Sequence, residues 1–397
     1  MDSLPIVDWD DVHYDRPKFL RDLRHALRDI GFLVLKNAPG LDDHTQKRLF
    51  KEVRKFFSAA DDVKATADIS LSPYFRGWSK VDPQKLKGKL PPLLAQEAFQ
   101  YSFDCKPVAD HTDRTVPLHR RLFRGPNTFP DTDKFPLFRA SVEELTGKYH
   151  KLTHDLGHLI CESLGVDAEQ FDKYFDFNDP DLAASLNRNL GMSIIPPEFR
   201  DKVVSEFDTL PAQVTRAHID GPPFIALLIN DKPGLQVVAG EGKWINAPVT
   251  CRTSPGDYNV PVIPGSVIVN SGGTLMHLSK GRVVATLHRV NPTMVPFGED
   301  RVSMPFFLLP RMDGQLIPFT NSEDSPDDET MTGYHAARDR GVNAAVNRMG
   351  TFPTCTRRWW MKEFRELRAV QAGEAQAETS AAYELAAERA RRNQAAL

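Results

Sequence analysis

The chain is short of long apolar runs, of paired cysteines and of any excess of charge, and each shortage excludes a class of protein. No uninterrupted apolar stretch in its 397 residues approaches the ~20 residues that a bilayer-spanning helix requires. The four cysteines, Cys105, Cys161, Cys251 and Cys355, are far apart and include no CxxC pair. That scatter argues against a disulfide framework or a zinc knuckle and suits reduced thiols in the cytoplasm. A formal net charge of -3 with no basic block leaves no electrostatic case for nucleic acid or an anionic membrane as partner. The opening MDSLPIVDWDD is acidic and lacks an apolar h-region, so no signal peptide is expected. What is present is 41% hydrophobic residues, enough for one large core or two ordinary ones.

Two textures divide the sequence. The first begins with an expected strand at Leu4–Val7, an amphipathic helix over Pro17–Ile30, and a buried strand in FLVLKN, with Gly31 stopping the helix. A second helix is expected over Asp43–Ala60, and a long one over Lys134–Leu164, where apolar residues recur in a 4-3-4-3 rhythm. The Pro-, Gly- and charge-rich stretch from Ile69 to Asp133 reads mostly as loops. After about Ala184 short apolar runs alternate with turn residues: MSII, FIALLIN, LQVV, WINAPV, SVIVN, VVATLHRV and VSMPFFLL. With no helix-length segment between them, these runs predict a mainly β core with flanking helices, of sandwich or barrel type, rather than a parallel α/β sheet. Beyond Glu323 the chain turns polar and then helical, and the Ala- and charge-rich Gln371–Leu397 reads as a solvated or partly frayed helix.

Inside the β-rich block, RAHIDG places His218 and Asp220 two residues apart. On an extended strand such side chains share a face, so both can address one ion. His288, in TLHRV, is a third candidate ligand from a later strand. Two imidazoles and a carboxylate on one side of a metal form the facial arrangement of non-haem Fe(II) oxygenases. HxD alone occurs often by chance and is more often an ordinary strand end. Arg301 and Ser303, in RVS, add a guanidinium and a hydroxyl suited to a carboxylate, although an Arg pairing with the adjacent Glu299 or Asp300 is the simpler reading of RVS by itself.

Taken together, these residues resemble the isopenicillin-N-synthase-like family of Fe(II)- and 2-oxoglutarate-dependent oxygenases. The likeness runs through LPIVDWD, GFLVLKN, FRGW, GPNTFPD, AHID, GLQVV, GKWINAPV, IPGSVIVNSGG, LSKGR, LHRV and RVSMPFF, in that order. It implies a distorted double-stranded β-helix (a cupin-like jelly roll). Residues 1–184 would be an N-terminal helical and β support region of the non-haem dioxygenase type, 185–312 the catalytic β-helix core, and 313–397 a C-terminal helical extension, all in one compact unit. It further implies Fe(II) on His218, Asp220 and His288, and 2-oxoglutarate on Arg301 and Ser303. O2 would oxidise an unactivated C–H bond of a small organic molecule, by hydroxylation or by desaturation, epoxidation or cyclisation, with release of succinate and CO2.

The sequence departs from the family at three places. The usual Asn-Tyr-Tyr-Pro run reads Ser193-Ile194-Ile195-Pro196, which removes a tyrosine hydroxyl and leaves Ser193 as a substitute contact to the co-substrate. The usual Asn-x-Gly-Asp turn reads Asn270-Ser271-Gly272-Gly273. The interval from Asp220 to His288 is extended at Thr250–Val262, an expected rim loop within reach of substrate. Asp220 remains an acid, unlike the corresponding position in the family's halogenases.

Two other chemistries stay open on sequence grounds. A co-substrate-free iron oxidase of the same family would turn Arg301 and Ser303 toward its substrate. A zinc hydrolase would use His154 and His158 of HDLGH, with Asp155 in place of the usual glutamate. Aromatic pocket candidates are Phe75, Trp78, Phe99, Tyr101, Phe224 and Phe306. RRWWMKEFREL, near Arg357–Leu367, is a candidate cover for the barrel mouth or an outer packing helix. The expected partner is a small-molecule substrate, and a monomer suffices.

Overall fold

A computed structural model of the chain describes residues 3–81, 96–107, 109–131, 133–195, 197–206, 215–239, 242–253, 260–313, 315–320 and 340–369. Among them twelve strands form: β1 (Ile6–Asp8), β2 (Phe32–Lys36), β3 (Gly77–Val81), β4 (Gln96–Tyr101), β5 (Asp181–Asn189), β6 (Thr215–His218), β7 (Ile225–Asn230), β8 (Leu235–Ala239), β9 (Lys243–Asn246), β10 (Val267–Ser271), β11 (His288–Val290) and β12 (Arg301–Leu309). They build an eight-stranded sheet in the order β1-β2-β10-β7-β12-β5-β4-β3, and a four-stranded sheet in the order β6-β11-β8-β9. Two sheets facing one another, with helices outside, make the double-stranded β-helix that the sequence predicts.

Alternation along each strand decides what the large sheet touches. Its outer face presents Leu33, Leu35, Val269, Ile229, Met304, Phe306 and Leu308 to one buried cluster. Into the same cluster run the apolar stripes of the Arg16–Asp29, Asp43–Ser58 and Phe138–Ser163 helices. The inner face turns Phe32, Val34 and Ile268 toward Leu235 and Val237 of the small sheet. Asp15 caps the first of these helices by accepting from Lys18 N at 3.1 Å, and Asp42 caps the second from Thr45 N at 2.7 Å. Gly31 stops the first helix at φ 71°, where a Cβ would also meet the Val284 carbonyl at 2.3 Å.

Four sequence expectations change. MSII is no strand: Gly191–Ile194 is a short helix, and the strand before it, β5, begins at Asp181. The Ile69–Asp133 stretch is not mostly loops, because β3 and β4 within it extend the large sheet and the Leu118–Phe123 helix follows. Their side chains alternate polar and apolar too briefly to stand out among prolines and charges. The long helix starts at Phe138 rather than Lys134, and the run VVATLHRV contributes only three residues of strand, His288–Val290. Gln371–Leu397 lies outside the described residues.

C-terminal to the sheets, the Arg340–Thr351 and Pro353–Trp359 helices pack on Phe75, Leu122 and Ile69 through Met349, Cys355 and Trp360. The Trp359 and Trp360 indoles donate to the Ser70 and Pro73 carbonyls at 2.8 and 2.7 Å. RRWW therefore packs outside the barrel, while the helix before it reaches the barrel mouth.

Candidate functional site

Three ligand-type side chains converge where the two sheets open. β6 and β11 pair antiparallel with His288 directly opposite His218, and the imidazole centroids lie 4.3 Å apart. Two residues beyond His218 the chain leaves β6, and the Asp220 carboxylate turns back between the rings. Asp220 Oδ1 is 3.4 Å from His218 Nε2, and Oδ2 is 3.6 Å from His288 Nε2. One ligand atom from each residue lies within 4.8 Å of the others, a spacing that suits a single cation.

Neighbouring groups fix each ligand. His288 Nδ1 lies 3.0 Å from the Thr286 carbonyl, which holds the proton on Nδ1 and leaves Nε2 for a metal. Burial pushes the His288 imidazole pKa down, which favours the neutral, ligating form. Asn270 Nδ2 donates to Asp220 Oδ2 at 2.9 Å. Burial alone would raise the Asp220 carboxyl, but the His218 hydrogen bond, the charge of His288 and the Asn270 amide outweigh it and hold it below its ordinary value. Gly273 N donates to the Asp220 carbonyl at 2.7 Å, and a Cβ on Gly272 would lie 2.1 Å from the Pro223 carbonyl. The Asn270–Gly273 turn thus needs no acid here. It grips the ligand loop by backbone contact.

Two cavities meet at this centre, and both are bounded by Asp220 and Phe307. The inner one, of about 150 Å³, runs between the sheets past His218 and His288 to Arg301 and Ser303. Neither acid beside Arg301 takes it: Glu299 pairs with Lys232 at 2.8 Å, and Asp300 with Arg54 at 2.7 Å and Arg188 at 2.5 Å. Arg301 is 3% exposed and donates through Nε to the Lys232 carbonyl at 3.2 Å, while its Nη2 is buried without a hydrogen-bond partner. Burial lowers its pKa to about 10, so it keeps its charge at neutral pH. A buried guanidinium with an unused N–H, lining a cavity that also holds a three-ligand centre, fits a carboxylate that bridges the two.

Sequence reasoning missed three residues here. Gln96, Asn187 and Asn189 line the same cavity, with Asn189 paired across strands to Arg301 and to Gln96, and Asn187 to Ser303. The signal was a polar run, Asn187-Arg188-Asn189, ending a strand: Asn187 and Asn189 share one face, while Arg188 turns the other way to Asp300 and the Phe57 carbonyl. Ser193, the expected substitute contact, is elsewhere. It follows β5 in the short helix, donates to the Leu190 carbonyl at 2.7 Å, and borders a separate depression with Arg54, Arg188 and Lys232. The polar positions of β5 that line the inner cavity end with the strand, and Ser193, Ile194 and Ile195 line neither cavity.

The aromatic pocket candidates are corrected as a group. Trp78, Phe99, Tyr101, Phe224 and Phe306 belong to the large core, and Phe75 to the cluster under the C-terminal helices. None lines either cavity at the centre. Their immediate neighbours do: Arg76, Ser102 and Phe307 border the outer cavity. The Thr250–Val262 insertion starts on β7, with Thr250 N and Cys251 N donating to the Asn230 carbonyl, its far end pairs Val262 with Val249, and no described residue of it lines either cavity.

His154 and His158 do converge, with Asp172, which lies 2.8 Å from His158 Nε2. However, Asp155, the would-be general base, pairs with Lys151 at 2.6 Å, and the rings of Phe171 and Phe177 cover the imidazoles. A hydrolytic centre needs a base aimed at a metal-bound water, and this cluster has none in place.

Comparison with known proteins points the same way. Residues 4–132 match the family described as the N-terminal region of non-haem dioxygenase in morphine synthesis, and residues 195–310 match the 2OG-Fe(II) oxygenase superfamily. A 2-oxoglutarate-dependent dioxygenase of Dothideomycetidae sp. is 28% identical over 309 residues, 77% of this chain and 74% of the relative. A 2-oxoglutarate-dependent dioxygenase of Gibberella zeae is 24% identical over 385 residues, covering 90% and 91%. Among solved structures, a full-length Neurospora crassa protein in complex with alpha-KG superposes with a TM-score of 0.64 at 20% identity, covering 88% of this chain and 96% of that one. At that identity the likeness establishes the shared fold. No helix among the described residues is long and apolar enough to cross a membrane.

Proposed function

The chain belongs to the isopenicillin-N-synthase-like family of Fe(II)- and 2-oxoglutarate-dependent oxygenases, and on that premise we propose that His218, Asp220 and His288 hold the iron while Arg301 and Ser303 anchor 2-oxoglutarate. The observation that carries the reading is Arg301. Arg301 lines the cavity that ends at the three ligands, its Nη2 is buried without a hydrogen-bond partner, and no acid among the described residues forms an ion pair with it.

Iron and co-substrate supply the oxidising power: O2 and 2-oxoglutarate are consumed, succinate and CO2 leave, and a substrate C–H becomes C–OH. The chain's own residues supply placement. Arg301 and Ser303 hold the distal carboxylate, Asn187 and Asn189 offer amides along the molecule, and Phe32, Leu228 and Pro305 wall the cavity off from water. Asn270 and Thr286 keep Asp220 and His288 oriented. Phe307 stands between the two cavities and limits how far a substrate carbon can lie from the centre. Substrate then occupies the outer cavity, as a small organic molecule. Hydroxylation is the default outcome, and desaturation, epoxidation or cyclisation would use the same placement.

The two-cavity arrangement favours this reading over a co-substrate-free oxidase, which needs one organic molecule at the metal rather than two. Anaerobic addition of Fe(II) and 2-oxoglutarate should produce a weak visible charge-transfer band. Asp220→Ala should abolish it, and its absence from the wild-type protein would overturn the proposal.

A further inference from the structure

The outer cavity, of about 260 Å³, carries more positive charge than its shape alone requires. Four arginines line it from three separate segments: Arg76 before β3, Arg124 after the Leu118–Phe123 helix, and both Arg340 and Arg348 in the Arg340–Thr351 helix, with Arg340 donating to the Arg311 carbonyl at 2.8 Å. Arg124 is neutralised by Asp179 at 2.7 Å and Asp181 at 3.1 Å. Arg76 and Arg348 are not. Among the described residues neither forms an ion pair. Arg76 Nη2 donates to the Phe123 carbonyl at 2.9 Å, and Arg348 Nη2 to the Phe75 carbonyl at 3.1 Å and Gln100 Oε1 at 3.3 Å. The Nε groups of both are buried without a hydrogen-bond partner, and Arg76 is only 2% exposed.

We propose that the outer cavity takes an organic anion, a small acid whose carboxylate or phosphonate is gripped by Arg76 and Arg348 while its carbon skeleton lies against Phe103, Phe123 and Phe307 toward Asp220. This rests on the oxygenase reading above and adds the charge of the substrate to it. Guanidinium groups match an oxyanion through paired N–H donors and tolerate apolar surroundings better than ammonium groups do. Burying two of them side by side without an acid is costly unless an anion arrives to compensate. The structure shows that cost. Burial pushes Arg76 down to about 9, with the like charge of Arg348 adding to it, and burial pushes Arg348 to about 10. The Phe75 carbonyl and the Gln100 side chain take the Nη groups of Arg348, which also lies 4.6 Å over the Phe352 ring, and the Phe123 carbonyl takes Nη2 of Arg76, but the Nε groups of both are left without an acceptor.

The test compares phenylacetic, 3-phenylpropionic and 4-phenylbutyric acids, and the matching phosphonic acids, with their neutral primary amides. Binding is measured by calorimetry on the metal-free protein and by perturbation of the anaerobic Fe(II)–2-oxoglutarate band. At least one acid or phosphonate should bind tenfold or more tightly than its amide. That ratio should fall toward one in Arg348→Met and in Arg76→Met, and be partly kept in Arg348→Lys. Should the methionine variants fold poorly by circular dichroism, Arg348→Lys and the weakening of acid binding by added salt in the wild-type protein decide the matter. Binding of no acid, equal binding of acids and amides, or a preference untouched by either substitution and by salt, would each overturn the anion assignment. Failure of the wild-type band to form would instead overturn the cofactor reading, so the two failures are distinguishable.

Discussion

Phe306 and Phe307 are consecutive on β12 yet serve opposite sides of the large sheet. Phe306 is fully buried against Tyr149 of the long helix, with ring centroids 5.4 Å apart, while Phe307 borders both cavities at the metal centre. The pair invites a direct comparison. Phe306→Ala should cost about 3–5 kcal/mol of stability, as truncation of a buried phenylalanine does. Phe307→Ala should cost less than half of that, and should instead loosen the coupling of 2-oxoglutarate decarboxylation to substrate oxidation. Denaturant titration and the ratio of succinate to oxidised product would separate them. Equal losses of stability would contradict the face assignment.

Arg301 offers a second test. Arg301→Met removes the one buried N–H fork facing the co-substrate, and charge-assisted hydrogen bonds of this kind contribute roughly 1.5–3 kcal/mol. The KM for 2-oxoglutarate should therefore rise about ten- to hundredfold, with Arg301→Lys intermediate because a point charge replaces the fork. Burial holds the Arg301 pKa down at about 10. The guanidinium is charged below that value, so co-substrate affinity should stay level from pH 7 to 9 as far as Arg301 governs it. An unchanged KM in the methionine variant would move the co-substrate elsewhere.

Asn270 acts on the metal only through Asp220. Asn270→Ala removes the donor 2.9 Å from Oδ2 and should weaken Fe(II) binding about tenfold, at the lower end of what such supporting partners give. Titration of Fe(II) against the charge-transfer band checks it, and Asn270→Asp should be worse than alanine because it sets a second negative charge against Asp220.

Gly272→Ala tests the grip on the ligand loop. The added Cβ would fall 2.1 Å from the Pro223 carbonyl, so the Asp220–Pro223 loop or the Asn270–Gly273 turn must shift. Lower thermal stability with weakened iron affinity is expected. Gly298, with open space around its Cβ position, is the control for a glycine to alanine change without a clash, although its φ of 83° is itself strained.

Asp300 should matter for acid stability. It joins Arg54 of the Asp43–Ser58 helix to Arg188 of β5, next to the start of β12. Burial would raise its carboxyl, but the hydrogen bonds and charges of the two arginines prevail and hold it below its ordinary 3.8. A depressed carboxyl stabilises the fold above the unfolded-state value and loses that contribution as pH falls through the folded one. Asp300→Asn should thus lower stability by about 2 kcal/mol at pH 6 to 7, between exposed and buried pairs in magnitude. The gap from wild type should narrow once pH drops below 3.8. A gap that widens in acid would show the wrong sign.

Much of the site was legible in the sequence because its signals are local or ordered. His218 and Asp220 sit at strand spacing in RAHIDG, His288 ends a later apolar run, and Arg301 and Ser303 open the next strand. Those five positions meet in space as their order along the chain suggested, through the β6–β11 pairing and the inner face of β12. The polar residues of the inner cavity were not legible: Asn187 and Asn189 line it while Ser193 borders another depression, because the end of β5 is set by its ladder with β12 and not by any turn residue. Aromatic residues were assigned to a pocket for their chemistry, although every one of them faces a core.

The sequence by itself determined the alternating β pattern, the helix stripes and the His218–Asp220 spacing of the candidate metal site, since these follow from residue spacing along one strand or helix. Only the tertiary structure decided which face of a strand meets helices and which meets a cavity. Period two offers two faces, and when neighbours such as Phe306 and Phe307 are both apolar nothing local distinguishes them. It likewise decided that Arg76 and Arg348, 272 positions apart in the chain, line one cavity with no ion pair to either among the described residues. That unbalanced charge is a property of packing, which no stretch of sequence contains.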